Sequence, residues 1–313
     1  MYAAVLKRRH CASNPTVVAI AVALAPFFRM ATVQSPVTNP DELLVRGIGL
    51  RGLTASIFNY TVGSGIFVLP ALVVANLGSG APFAYLLCAA IMICIVLVFA
   101  EAGSRVSATG GPYAYVETAL GPFFGLISGV LLCISDIGAA GAVSNIVGHS
   151  AARLLGIQAA FAPAVITTLI VTVLAAINIR GVRSGTRLVE VSTVAKLIPL
   201  LLFIVVGVFF ITPGNLMITD VPPLTDVTRT AGTLFFAFAG IEAALQPSGE
   251  VRDSTRTVPR AAIIALGLTT LLYLAIQAVA YGLMGPALAD DRVAPLATAA
   301  STFAGRPAYT LLL

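Results

Sequence analysis

Residues 59–70 read NYTVGSGIFVLP, a Gly-Ser-Gly triplet set inside a long apolar run. Glycine costs about 1 kcal/mol relative to alanine within a helix, so two glycines around Ser64 mark a place where a helix is expected to break. The rest of the chain tells in what medium. Of 313 residues, 58% are hydrophobic and 10% charged, and mean hydropathy is +0.98; an average soluble domain carries about 25% charged residues. Apolar blocks fall near 51–76, 80–100, 122–151, 159–179, 188–211, 230–249 and 260–283. Each is close to the ~20 residues that a helix needs to cross a hydrocarbon core of ~30 Å. None alternates as a barrel strand does, and backbone groups in lipid must be satisfied within the segment. The predicted class is therefore an all-α integral membrane protein.

The net charge of +5 does not point to nucleic acid, because the basic residues sit in short loops between spans rather than on one face of a soluble domain. With the N-terminus inside, the inner loops carry Arg105, then Arg180, Arg183 and Arg187, then Arg252, Arg256 and Arg260. The outer loops carry Arg153, Arg229, Arg292 and Arg306 together with Asp220, Asp226, Asp290 and Asp291. That imbalance predicts a cytoplasmic N-terminus and a multi-pass protein of the cytoplasmic membrane. Cys11, Cys88, Cys94 and Cys133 lack metal-ligand spacing and read as packing residues; His10, in the N-terminal segment, and His149, at an outer span end, lack it too, so no metal or cofactor is expected. The chain has no G-x-S-x-G, HExxH or Walker motif, which argues against an enzyme.

The two ends read differently from the middle. Lys7, Arg8 and Arg9 precede TVVAIAVALAPFF at 16–28, which has the outline of a signal peptide but no small-residue cleavage site and is too short to span. The stretch from Met30, MATVQSPVTNPDELLVR, reads as an ordinary cytoplasmic lead-in, so an over-extended start is preferred and the chain divides into 1–45 and a membrane domain at 46–313. After the seventh block a loop leads to AYTLLL, where a further apolar segment begins, and the expectation is a fragment or a truncated product.

A broken helix is tolerated in lipid only where its freed groups are buried in protein, face a water-filled cavity or bind a ligand. A half-helix starting near Gly65 would aim its N–H groups and positive dipole end into the break, which suits a carboxylate. The carbonyls of Tyr60 to Val62 would suit an ammonium or a metal cation. The plainer alternative is that Gly63, Ser64 and Gly65 only let helices pack closely. A second interruption favours the ligand: the sixth block reads TLFFAFAGIEAALQPSGEV, with Gly240 at mid-span, Glu242 next to it and Pro247 beyond. Two interrupted spans five apart are the expected trace of two inverted halves whose broken helices meet at a site near the membrane midplane.

GSGIFVLP in the first span, SATGGPYAYVETALGPFFGLISG entering the third and FFAFAGIEAALQPSGEVRDSTRTVPRA from the sixth resemble the amino acid-polyamine-organocation superfamily of permeases. The resemblance covers roughly 43–313 and rests on the three motifs occurring in order. It implies a LeuT-like inverted-repeat fold, of which this chain holds the first five-helix repeat and the opening of the second. It further implies that Gly63, Ser64 and Gly65 bind a substrate carboxylate through their backbone. The substrate amino group would be held by carbonyls near Thr61, Ala237 and Ala239, beside Gly240, with Phe236 as an aromatic lid. The motif entering the third span often continues into a Trp; here Leu131 and Leu132 stand nearby and the chain has no Trp.

Charges inside apolar segments are costly unless partnered or hydrated. Lys196, in RLVEVSTVAKLIPLLLFIVVG, lies about 14 Å deeper than Arg187 along a helix. It reads either as a snorkelling lysine or as a buried amine that gains and loses a proton during transport. The resemblance favours the second, since some proton-coupled members have a lysine at the similar place. Glu242 reads as a proton sensor, as a partner for a basic substrate or as a structural acceptor for freed amides. Asp136 is a further candidate, or else a polar cavity lining. Glu101, Arg105 and Glu190 read as interfacial anchors or gate ion pairs, and Glu117 as part of an amphipathic approach to the third span. The combined expectation is a secondary transporter taking up an amino acid or related amine with protons across the lipid bilayer. The alternatives are an amino acid or polyamine exchanger and a non-transporting membrane partner.

Overall fold

A computed structural model of the chain describes residues 47–106, 110–179, 182–219, 221–245 and 250–312. The expectations for 1–45, Arg180, Pro247 and the side chains of Arg183, Arg187 and Glu190 lie outside the described residues.

The first apolar block folds as two helices, α1 (Leu50–Thr61) and α2 (Gly65–Leu77), with the interruption at the Gly-Ser-Gly triplet. A 3₁₀ turn at Gly78–Gly80 leads into α3 (Ala81–Arg105). Helix α4 (Pro112–Leu120) is the short approach expected from the sequence, and Gly121, at φ 91°, turns the chain into α5 (Pro122–Leu154). Proline opens both helices at a position where its missing N–H has no partner to lose. The chain continues through α6 (Ala162–Ile179), α7 (Val182–Gly207), α8 (Leu224–Phe238), a single turn α9 (Ile241–Ala244), α10 (Ser254–Met284) and α11 (Pro295–Leu312). Among the described residues there is no β-strand, only an isolated bridge between Ile48 and Val251.

Among the described residues, four stretches are long and apolar enough to cross a membrane: Gly65–Arg105, Pro122–Leu154, Thr193–Phe210 and Ser254–Ala289. The protein is an all-α, multi-pass membrane protein. The expected first and sixth spans do not appear as long helices because each is cut in two at its glycine.

Helix α11 departs from the sequence reading, which placed a loop before AYTLLL. Asp291 caps it: its carboxylate accepts the amides of Val293 and Ala294, both at 3.0 Å, and the Thr298 hydroxyl at 2.6 Å. Partial burial pushes the Asp291 carboxyl up, but hydrogen bonds from Thr298, Arg153, Ala294 and Val293 outweigh it and hold the group down at about 2. The alanine-rich ATAAS segment then favours helix despite its mixed polarity. A kink at Gly305, φ 61°, separates it from the final turns.

The core lies where α10 packs on α1 and α3, and α8 on α2 and α3. Lipid tails are as apolar as leucine, so membrane helices associate through close contact of small residues. Ala84 and Cys88 of α3 and Ala261, Ala262 and Ala265 of α10 are accordingly buried. Across the same seam the Tyr85 hydroxyl donates to Gln277 Oε1 at 3.1 Å. Helices α5 and α6 pack chiefly on each other, with α4 against α5. Ile134 and Ile137 of α5 are 61% and 67% exposed, so this pair is outlying. The end of α5 is tied down by Arg153, whose Nη1 donates to Asp291 Oδ1 at 3.1 Å and whose guanidinium lies 5.8 Å from the Tyr309 ring centre.

Candidate functional site

The two breaks meet. Helix α1 closes with the Val62 amide on the Phe58 carbonyl at 2.9 Å, and the Gly63 amide turns back to the Thr61 carbonyl at 2.8 Å. Ser64 stands at the N-cap position of α2 without a capping hydrogen bond from its side chain, and the first turn, like that of any helix, presents amides without an intrahelical acceptor. Helix α8 ends at Ala239, and Gly240 follows at φ 115°, a conformation that L residues with side chains rarely adopt. A Cβ on Gly240 would lie 2.8 Å from the Tyr60 carbonyl oxygen, and one on Gly65 would lie 3.3 Å from Ala237 Cα. Glycine is thus required at the second break and closely fitted at Gly65 in the first, because the two backbones abut.

Three side chains serve the freed groups. Lys196 Nζ, from α7, donates to the Asn59 carbonyl at 2.5 Å and the Val62 carbonyl at 2.6 Å. These oxygens form the negative end of the α1 dipole, and Lys196 has no acidic partner in ion-pair contact among the described residues. Its amine therefore reaches inward to the break, not outward to an interface as the snorkelling reading required. Glu242 accepts the Gly240 amide with both oxygens, at 3.0 and 3.1 Å, as the structural alternative for this residue anticipated. Tyr273, in α10 and fully buried, donates to the Thr61 carbonyl at 2.9 Å and the Ala237 carbonyl at 2.7 Å. With one hydrogen, the phenol serves these two oxygens in turn or shares it between them, and its ring packs edge-on against Phe238, centroids 5.1 Å apart. Sequence reading missed Tyr273, since an aromatic in an apolar run reads as packing; the only signal was a polar tip at a depth where it must find a partner.

Two cavities flank the Gly63–Ser64 backbone. The larger, about 630 Å³, is bounded by Thr61, Gly63, Ser64 and Gly65 on the first break and by Phe236, Ala237, Ala239 and Gly240 on the second. Glu242, Asp136 and Tyr60 also line it. All the residues expected to hold a substrate therefore share one chamber, together with one of the two expected coupling residues. The other, Lys196, lines the smaller cavity of about 340 Å³, which runs past Ser150 to Val293 and Ala294. The Ser64 hydroxyl and the Asn59 side-chain oxygen are buried without a hydrogen-bond partner, a state that native structures resolve with a ligand, water or ion.

Other candidates fall elsewhere. Glu101 and Arg105 pair with each other on an exposed turn of α3. Arg153 and His149 line a third hollow at the far end of α5, with Asp290 and Asp291. Among the described residues no group of His, Cys, Asp and Glu could hold a metal ion.

A family model described as amino acid permease matches residues 48–308. Curated relatives include a methylthioribose transporter of Bacillus subtilis, 30% identical over 78% of this chain and 56% of that protein. A serine/threonine exchanger of the same organism is 30% identical over 76% of this chain and 55% of its own length. A cadaverine/lysine antiporter of Escherichia coli is 27% identical over 85% of this chain and 60% of its own. The chain spans a little over half the length of the curated relatives it matches.

Proposed function

Since the chain belongs to the amino acid permease family, we propose that it acts in the secondary transport of an amino acid or related amine, with its ligand held between the two helix breaks. The observation that carries this reading is the apposition of those breaks around one chamber, with the first-turn amides of α2 and the carbonyls of Thr61 and Ala237 on its walls. An α-carboxylate fits the amides and the positive end of α2. An ammonium fits the carbonyls. Phe236, 40% exposed on the chamber wall, is the lid.

Proton-coupled uptake is the finer part of the proposal. Lys196 holds the α1 carbonyls while protonated and releases them when it loses its proton, which would loosen α1 at the break during the cycle. In this reading the membrane domain runs over 46–313, its N-terminus is cytoplasmic, and the two breaks belong to inverted repeats.

The test is binding of a set of radiolabelled amino acids to the purified protein, followed by uptake into proteoliposomes with and without an inward proton gradient. Saturable binding with gradient-driven accumulation is expected. Uptake that needs internal amino acid and ignores the gradient would replace symport by exchange. Binding without uptake would overturn transport by this chain while keeping the site, and no binding would remove the site.

A further inference from the structure

The wall of the larger cavity opposite the breaks is made by α5, and it carries an unexplained charge. Asp136 lies near the midpoint of this 33-residue helix, about 21 Å from its Pro122 end at the helical rise. A carboxylate at that depth is costly without a partner. Asp136 faces the chamber beside Ser135, yet no basic side chain of the described residues forms an ion pair with it, and no Lys, Arg or His lines the chamber. Glu242, the other acid on the wall, is already committed to the Gly240 amide.

Three further features bear on what would neutralise Asp136. The chamber, about 630 Å³, lies well inside the range of about 300–1,000 Å³ typical of sites for extended small molecules. The chamber wall also carries Ala139, Ala142 and Phe236, small or apolar side chains that suit methylene groups. Ser64 lines the same chamber, and its hydroxyl is buried and unpartnered.

We infer that this chamber selects a basic α-amino acid, an aliphatic chain that carries a second cationic group, with Asp136 as the residue that reads the distal cation. The α-carboxylate lies at the Ser64 end of α2 and the α-ammonium at the freed carbonyls. The chain runs along the apolar wall, and the terminal ammonium or guanidinium meets Asp136. The inference rests on the reading of the chamber as a ligand site and adds the class of ligand.

The experiment is equilibrium binding of radiolabelled lysine to the purified chain in lipid nanodiscs, competed by unlabelled arginine, leucine and cadaverine. Arginine should displace lysine at least about tenfold better than leucine, as expected for one charge pair in a desolvated site. Cadaverine, which lacks the carboxylate, should compete more weakly than arginine. Asp136→Asn should lower lysine affinity by about tenfold or more while leucine binding is retained, and Asp136→Glu should keep the preference for basic ligands. A thermal melt of each variant checks that the fold persists. Leucine competing as well as arginine, or Asp136→Asn binding lysine unchanged, would overturn the inference while leaving the site intact. Cadaverine matching arginine would overturn the amino acid assignment. Absence of any binding would overturn the reading of the chamber itself, and the inference with it.

Discussion

The two helix breaks solve opposite problems. At the first, the side chains that arrive are donors: Lys196 takes the carbonyls of Asn59 and Val62, and Tyr273 that of Thr61. At the second, beside the Tyr273 contact to Ala237, the arriving side chain is an acceptor, and Glu242 closes on the Gly240 amide. The first break therefore has its negative end served and its positive end, the first turn of α2, left open. The second has its amide occupied by the protein's own carboxylate. If the chamber holds a zwitterion as proposed, this asymmetry directs its carboxylate to α2.

The largest effect should come from forcing the breaks apart. Gly240→Ala puts a side chain at φ 115° with its Cβ 2.8 Å from the Tyr60 oxygen, at a cost of about 3 kcal/mol or more. Its melting temperature should fall and ligand binding disappear; a native-like melt would mean that the two backbones do not depend on each other. Gly65→Val attacks only the open end of α2. Its Cβ would sit 3.3 Å from Ala237 and Leu69, and binding should fall by about a hundredfold or more while expression persists. Unchanged affinity would move the carboxylate away from α2.

Lys196→Met keeps the apolar stem and strips the donor from two carbonyls. The expected loss is gradient-driven accumulation, with a stability cost of about 1–3 kcal/mol. Lys196→Arg should fail in the same way, because a guanidinium does not deprotonate. Accumulation that survives Lys196→Met would transfer the coupling role to Glu242. Tyr273→Phe leaves the packing against Phe238 and removes the hydroxyl, so binding should weaken about tenfold with little change in expression. An unaltered dissociation constant would reduce Tyr273 to a packing residue. The smallest effect belongs to Phe236→Ala, about threefold in affinity or uptake rate, since this ring is only partly covered.

What the sequence disclosed follows from how loudly each residue violates its surroundings. Gly63, Gly65 and Gly240 stand out in apolar blocks because glycine weakens a helix there, and a mid-span lysine stands out by its charge. Tyr273 does not, because its ring belongs in an apolar block and only the position of its hydroxyl, set by α10 packing on α1 and α3, makes it part of the site. Helix α11 was illegible for a different reason: its capping carboxylate, Asp291, read as a loop charge until its four donors were in place. The exposure of α5 and α6 was likewise beyond a reading that treats every apolar block alike.

Tyr273 also sets a count. A phenol has one hydrogen to give, and the carbonyls of Thr61 and Ala237 both stand within its reach, at 2.9 and 2.7 Å. The Thr61 oxygen also takes the Gly63 amide at 2.8 Å, so it keeps a donor when the phenol turns to Ala237. The Ala237 oxygen gives up the phenol when it turns to Thr61. Rotation of a single O–H bond thus moves one hydrogen between the halves of the site, and on the proposed reading a ligand ammonium beside Ala237 would free the phenol for Thr61.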